Sequence, residues 1–391
     1  DIGCRLTRMR AAIVHTPQYR LIDTLLDMPG IFAAFLDLPY PVLLDSPQSG
    51  NTPARYSYLA ADPFMVVRSK GQRVWVEEHC EISVVEGTPF DVLRDLLGRY
   101  RTAHVAGLPP FQGGAIGYLA YELAHHLELL PGAAEDNLGL PELNVAFYNW
   151  VVARDEITGE TWAIATGLPD GGEAGARDRL DWIEERVHKP PATASTSRPA
   201  VIASRVTSNF TKDAYLRAVR TVKDYIAAGD VYQVNISQRF EADITGDPWE
   251  LYQRLRHVNP SPFSAYLGFP EVSVLSASPE EFLKLEDGLL RTRPMKGTRP
   301  RGRSAAEDRD VAAVLLASEK DRAENVMIVD LMRNDLGRVC VPGSIAVPEL
   351  FVIEEYPTVY QMVSTVTGRT RADVGPVEVL EACFPGGSVT G

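Results

Sequence analysis

Cysteine is scarce in this chain. Cys4, Cys80, Cys340 and Cys383 are scattered through 391 residues without CxxC spacing. That argues against a cysteine zinc site or a disulfide framework and fits a reducing cytoplasm. Long apolar runs are missing too: no stretch approaches the roughly 18 uncharged apolar residues of a membrane span. The first twenty residues, with Arg5, Arg8, Arg10 and Arg20, do not form a secretory signal. None of the seven histidines has a nucleophile pattern around it, and there is no GxSxG elbow. In "FQGGAIGYLAYELAHHL" (111–127) the glycines Gly113, Gly114 and Gly117 lack dinucleotide-binding spacing. They read as backbone packing beside a helical pattern that carries His125 and His126. Positive charge is in deficit, with 39 Lys+Arg against 52 Asp+Glu and a net charge of -13. Such a balance repels phosphate backbones, so nucleic acid is not an expected partner. A small anionic substrate would need local cations or a metal ion.

What is present is the composition of a globular enzyme, 45% hydrophobic and 23% charged, long enough for two domains. A Pro/Ser/Thr/Ala-rich linker at 187–204 divides an amino-terminal part, 1–186, from a carboxy-terminal part, 205–391. Strand-like runs occupy 40–45, 64–69 and 145–154. Beyond the linker, 212–228 has a helical stripe, with Thr211 as cap and Gly229 as stop. "VYQVNISQRF" (231–240) then alternates like a strand, its polar row being Gln233, Asn235, Ser237 and Arg239. Strands and turns follow through 273–300, Ser304 and Glu307 form a capping box, and a second helix spans about 319–336. The layout is α/β without a repeat.

Three places in this pattern suit chemistry. "RTRPMKGTRPRG" (291–302) packs four arginines around Lys296 in an acidic chain. Glu280 lies sixteen residues earlier (296 − 280 = 16), and adjacent hairpin strands would bring the two together. A glutamate beside a desolvated lysine is either an acid–base pair or a salt bridge. On the second helix, Asp321, Glu324, Ile328, Leu331 and Asp335 share one face. These carboxylates either pair with Lys320, Arg322 or Arg333 or bind a cation. With no histidine nearby, that cation would be Mg²⁺ rather than zinc.

Taken together, these stretches resemble the chorismate-utilising enzymes, the family of anthranilate, isochorismate and aminodeoxychorismate synthase large subunits. The matching segments are "GDVYQVNISQRF", "NPSPFSAYL", "SASPEEFL", "RPMKGTRPRG", "EKDRAENVMIVDLMRNDLGRV" and "FPGGSVTG", in family order over 209–391. "VLLDSPQSGNTPARYSYLAADP" and "FQGGAIGYLAYE" resemble the amino-terminal domain. The resemblance implies an α/β fold of two intertwined subdomains, with face-to-face, mostly antiparallel sheets and helices outside.

Within the family, aminodeoxychorismate synthases carry lysine where the other branches carry a small residue, and this chain has Lys296. The resemblance therefore implies amination of chorismate at carbon 4 with ammonia, for para-aminobenzoate and folate synthesis. Lys296 is implied as the nucleophile and Glu280 as the general acid. Gln233 stands where isochorismate synthases place a water-activating lysine. Gln233, Thr298, Gly386, Gly387 and Ser388 are implied at the substrate, and Mg²⁺ on Glu324 and Asp321. Gln361 replaces a histidine common in anthranilate synthases. A glutamine amidotransferase partner would supply the ammonia, since no amidotransferase cysteine pattern occurs here. Leu44, Asp45, Ser46, Arg55, Tyr56, Ser57 and Pro262 match a tryptophan pocket. Relatives continue some tens of residues past Gly391, with another metal-binding glutamate and cationic groups for the substrate. Two alternatives remain open on these residues: an anthranilate synthase large subunit and a non-catalytic tryptophan-binding partner.

Overall fold

The computed structural model describes residues 14–47, 54–131, 135–189 and 202–390. Chain contacts divide it into two compact units, the first made of Asp1–Gln48, Pro53–Ala194 and Pro262–Ala277. The second is made of Ser49–Thr52, Ser195–Ser261 and Ser278–Gly391. The chain thus leaves the first unit and returns to it for 262–277 before completing the second. Among the described residues no helix is long and apolar enough to cross a membrane.

The first unit is built on two sheets. A seven-stranded sheet runs in the order Gln18–Leu21, Thr161–Ala165, Trp150–Asp155, Tyr56–Ala60, Val42–Asp45, Phe263–Gly268, Ser273–Ser278. A five-stranded antiparallel sheet runs Glu81–Val85, Arg73–Glu78, Met65–Lys70, Leu143–Tyr148, Gly114–Leu119. Val42, Ala60 and Leu267 of one sheet pack face to face with Val66, Ile116, Ala146 and Tyr148 of the other. The run 145–154, read as one strand, is two. Tyr148 pairs with Gly114 in the smaller sheet, whereas Trp150 pairs with Ala165 in the larger, so the chain changes sheets at Asn149. Both strands are covered on both faces, which is why the run shows no polar alternation. The helical pattern expected in 111–127 gives way to the strand Gly114–Leu119 and a short 3-10 turn, Tyr121–His126. Pairing with Leu143–Tyr148 outweighs local helix preference there. Helix Gly172–His188 buries Ala176, Leu180, Ile183 and Val187 along one stripe. It therefore takes in the first two residues of the expected linker, while 190–201 lie outside the described residues.

In the second unit the central strand Val359–Arg369 pairs antiparallel with Leu289–Thr292, Met295–Pro300 and Ala346–Glu355. Lys284–Glu286 extends the sheet beyond Leu289–Thr292. Helix Glu319–Val339 covers it, burying Ile328, Val329, Met332 and Leu336 with Leu290, Val366 and Val379. Ser304 accepts the Glu307 N–H at 3.3 Å, but Glu307 accepts from Arg303 instead, so only half the capping box forms. Helix Lys212–Ala228 forms as expected, with Thr211 accepting from the Ala214 N–H at 3.2 Å. The strand expected over 231–240 does not form. Only Phe240–Glu241 pairs, with Thr207–Ser208, and Tyr232 is 88% exposed. A strand needs a neighbour to take up its backbone groups, and here pairing reaches back only to Arg239, whose carbonyl accepts from the Asn209 N–H at 3.2 Å.

Candidate active site

The strand Met295–Pro300 carries an irregularity at its most informative point. Met295 pairs with Val363 and Thr298 with Gln361, so three steps on one strand oppose two on the other. The extra residue is a β-bulge, which locally re-aims side chains. Gly297, at φ 96°, supplies the backbone conformation that this bend requires. Met295 stays in a core cluster with Tyr356 and Val363, while Lys296 beside it is half-buried.

The charges around Lys296 are resolved in pairs. Arg291 binds Glu281 through two bonds of 2.9 and 2.8 Å, and Arg293 binds Glu354. Arg299 binds Asp321 at 2.6 Å, and Arg301 binds Asp308, with Nε at 2.9 Å. Among the described residues, Lys296 alone of the five basic residues in 291–302 has no carboxylate within ion-pair distance. Its amine instead donates to the Ser388 carbonyl at 3.1 Å.

Glu280 is brought to the same place by the turn after Ser273–Ser278. Its Oε1 accepts from the Met295 N–H at 3.3 Å, and its Oε2 accepts from the Ser388 hydroxyl at 3.2 Å. Burial pushes its carboxyl above the ordinary range, opposed by those two hydrogen bonds and by the charge of Lys296. Neighbouring Glu281 faces the other way, into Arg291.

Ser388 reaches these groups on the short helix Gly387–Thr390. A Cβ on Gly387 would lie 2.3 Å from Leu331 Cδ2, and one on Gly386 would lie 2.9 Å from the Phe282 ring. The glycine pair thus lets this backbone press against the sheet and helix. Asn235 holds it from the other side, donating through Nδ2 to the carbonyls of Ser388 at 3.2 Å and Val389 at 2.6 Å. Sequence reading placed Asn235 in a polar row but gave it no role.

Other expected residues stand apart from this cluster. Thr298 is exposed and donates to Gln361 Oε1 at 2.7 Å. Gln233 is half-buried, and among the described residues no hydrogen bond joins it to Lys296, Glu280 or Ser388. Asp321, 5% exposed, is neutralised by Arg299 rather than by Lys320, Arg322 or Arg333. Arg333 pairs with Asp330. Glu324 is half-buried and has no ion pair among the described residues. No group of three or more His, Cys, Asp or Glu side chains is placed to hold a metal among those residues.

Residues 41–391 match the family described as chorismate binding enzyme. The chain belongs to that family. Among chorismate binding enzymes, it is 40% identical over 362 residues to aminodeoxychorismate synthase component 1 of Salmonella typhimurium. That match covers 92% of this chain and 77% of the relative. It is 36% identical over 372 residues to anthranilate synthase component 1 of Acetivibrio thermocellus, covering 93% of this chain and 75% of that one. Its fold is similar to the crystal structure of anthranilate synthase component I from Streptococcus pneumoniae, with a TM-score of 0.76 at 28% identity. That likeness covers 87% of this chain and 75% of that chain.

This chorismate binding enzyme gathers a second expected group within its first unit. The Ser46 N–H donates to Ser57 Oγ at 3.0 Å, and the Ser46 hydroxyl donates to the Pro262 carbonyl at 2.9 Å. Asp45, at 1% exposure, sits opposite Ser264 in the ladder, and Leu44 sits opposite Ala265 and Tyr58. Arg55 is turned to Asp155, with Nε at 2.9 Å, and its guanidinium lies 5.0 Å from the centre of the Tyr56 ring.

Proposed function

We propose that this chain aminates chorismate at carbon 4 with ammonia, giving 4-amino-4-deoxychorismate. The observation that carries the proposal is Lys296, held at a bulge beside the half-buried Glu280 and, among the described residues, without an ion pair while the four arginines around it are each paired. In its neutral form the amine attacks carbon 2 of the substrate, the ring double bonds shift, and the carbon-4 hydroxyl leaves. Glu280, whose burial favours the protonated form, gives that hydroxyl its proton, so it departs as water. Ammonia then bonds to carbon 4, and the reverse shift expels the Lys296 amine. The net change is exchange of OH for NH₂ with release of water. A glutamine amidotransferase subunit is proposed as the source of ammonia, in keeping with the "component 1" in the names of relatives.

Mg²⁺ belongs to the same proposal. When bound, it supplies positive charge for a substrate carboxylate in a chain whose net charge is -13. Glu324, half-buried and without an ion pair among the described residues, fits as its protein ligand. Mg²⁺ commonly keeps several waters and takes one or two carboxylates. Asp321 does not fit, because Arg299 already neutralises it.

Anthranilate synthase is the second reading, favoured by the Acetivibrio relative and the Streptococcus structure. Product identity separates the two. With chorismate, Mg²⁺ and ammonium, the chain alone should release no aromatic product, and an added aminodeoxychorismate lyase should yield para-aminobenzoate. Formation of ortho-aminobenzoate by the chain alone would overturn the proposal. Without ammonia, mass spectrometry should find a chorismate-derived adduct on Lys296, absent in Lys296→Ala.

A further inference from the structure

We propose that Asn235 is a positioning residue that acts through Ser388, holding the short helix Gly387–Thr390 so that one residue anchors both Lys296 and Glu280. The inference rests on the reading of Lys296 and Glu280 as the reacting pair. Ser388 is the only link between them that the hydrogen bonds show among the described residues. Its carbonyl accepts from the Lys296 amine at 3.1 Å, and its hydroxyl donates to Glu280 Oε2 at 3.2 Å. A four-residue helix cannot fix that geometry by itself, because so short a helix is marginal without outside contacts. The glycines at its start allow close approach to Phe282 and Leu331, a contact of shape.

Asn235 supplies it. Its carboxamide faces two carbonyls, so only the nitrogen side can bond there, and one NH₂ group carries the two hydrogens needed. The Ser388 carbonyl then uses both lone pairs, one for Asn235 and one for Lys296. Because Asn235 lies 153 residues before Ser388 on a segment that joins no sheet, this clamp is independent of the strand that carries Lys296. Losing it frees the Ser388 carbonyl to swing away. The Lys296 amine loses its acceptor, and Glu280 loses the donor on Oε2.

The test uses Asn235→Ala and Ser388→Ala, singly and together, in the full chain. Asn235 is exposed, so Asn235→Ala should melt with the parent by circular dichroism. Acetic anhydride labelling, read by mass spectrometry against exposed Lys212, reports the freedom of the Lys296 amine without any turnover. In Asn235→Ala, Lys296 should acetylate roughly five- to thirtyfold faster, the scale of one or two lost hydrogen bonds. Turnover of chorismate with ammonium should fall by a similar factor. The double variant should lose little more than either single one, since both act on one anchor. Parent-level acetylation of Lys296 in Asn235→Ala would overturn the proposal, and fully additive losses would overturn the route through Ser388. A parent chain that shows the labelling contrast but makes no 4-amino-4-deoxychorismate overturns the proposed function instead, and leaves the anchoring role standing.

Discussion

Glu280 and Glu324 are both half-buried carboxylates, and the roles proposed for them differ. Burial raises the Glu280 pKa above its ordinary value of 4.5. The native state therefore binds the Glu280 proton more tightly than the unfolded chain does. That contribution to stability is full at low pH and is lost as pH rises through the raised value. Glutamine does not titrate and keeps one acceptor for the Met295 N–H. Glu280→Gln should therefore gain stability relative to the parent on going from pH 4.5 towards neutrality. Urea midpoints across that window check it, and a constant difference would mean that Glu280 is not perturbed. Glu324 has no ion pair among the described residues. Glu324→Gln should raise the Mg²⁺ concentration for half-maximal turnover by at least roughly tenfold, the scale at which metal-site changes act. An unchanged Mg²⁺ dependence would remove Glu324 from the metal site.

At the scale of elements, helix Glu319–Val339 is tied to the central strand by polar bonds as well as by packing. Asn325, fully buried, donates to the Met362 carbonyl at 3.2 Å and accepts from the Ser364 hydroxyl at 2.6 Å. Ser364 in turn accepts the Phe351 N–H at 3.1 Å. Those bonds fix the strand directly opposite the Lys296 bulge. Asn325→Ala should destabilise the chain by about 2 kcal/mol, because it leaves the Met362 carbonyl and Ser364 buried with fewer partners. Urea denaturation measures this, and a loss below about 0.5 kcal/mol would show that the site relaxes around the missing amide. The helix itself was legible in its 3.6-residue spacing, as was Lys212–Ala228 with its Thr211 cap. The strand reading of 231–240 failed because alternation reports a face, whereas a strand also needs a neighbouring ladder.

For the whole molecule, the net charge of -13 is the dominant long-range fact. The basic stretch does little to reverse it, because Arg291, Arg293, Arg299 and Arg301 are each paired with a carboxylate. A substrate with two carboxylates should therefore be repelled at a distance. Raising ionic strength from about 0.01 M to about 0.15 M shortens the Debye length from roughly 30 to 8 Å. The second-order rate with chorismate, kcat/KM at fixed Mg²⁺, should rise over that range, by roughly two- to fivefold for a modest repulsion. A fall would mean that a local positive field outweighs the net charge.

The amino-acid sequence by itself determined the α/β class, the long helices and the family, and it drew attention to Lys296 and Glu280. These rest on local spacing and on residue types that stand close along the chain. Only the tertiary structure decided that Asp321 belongs to Arg299, that Glu280 and not Glu281 faces the lysine, and that the run 145–154 divides between two sheets. The same holds for Ser388, which lies 92 residues beyond Lys296, and for Asn235, which lies 153 residues before Ser388. Periodicity along a chain records which face of an element is buried. It holds no record of which distant backbone carbonyl will complete a hydrogen bond, because that depends on how the separate elements pack.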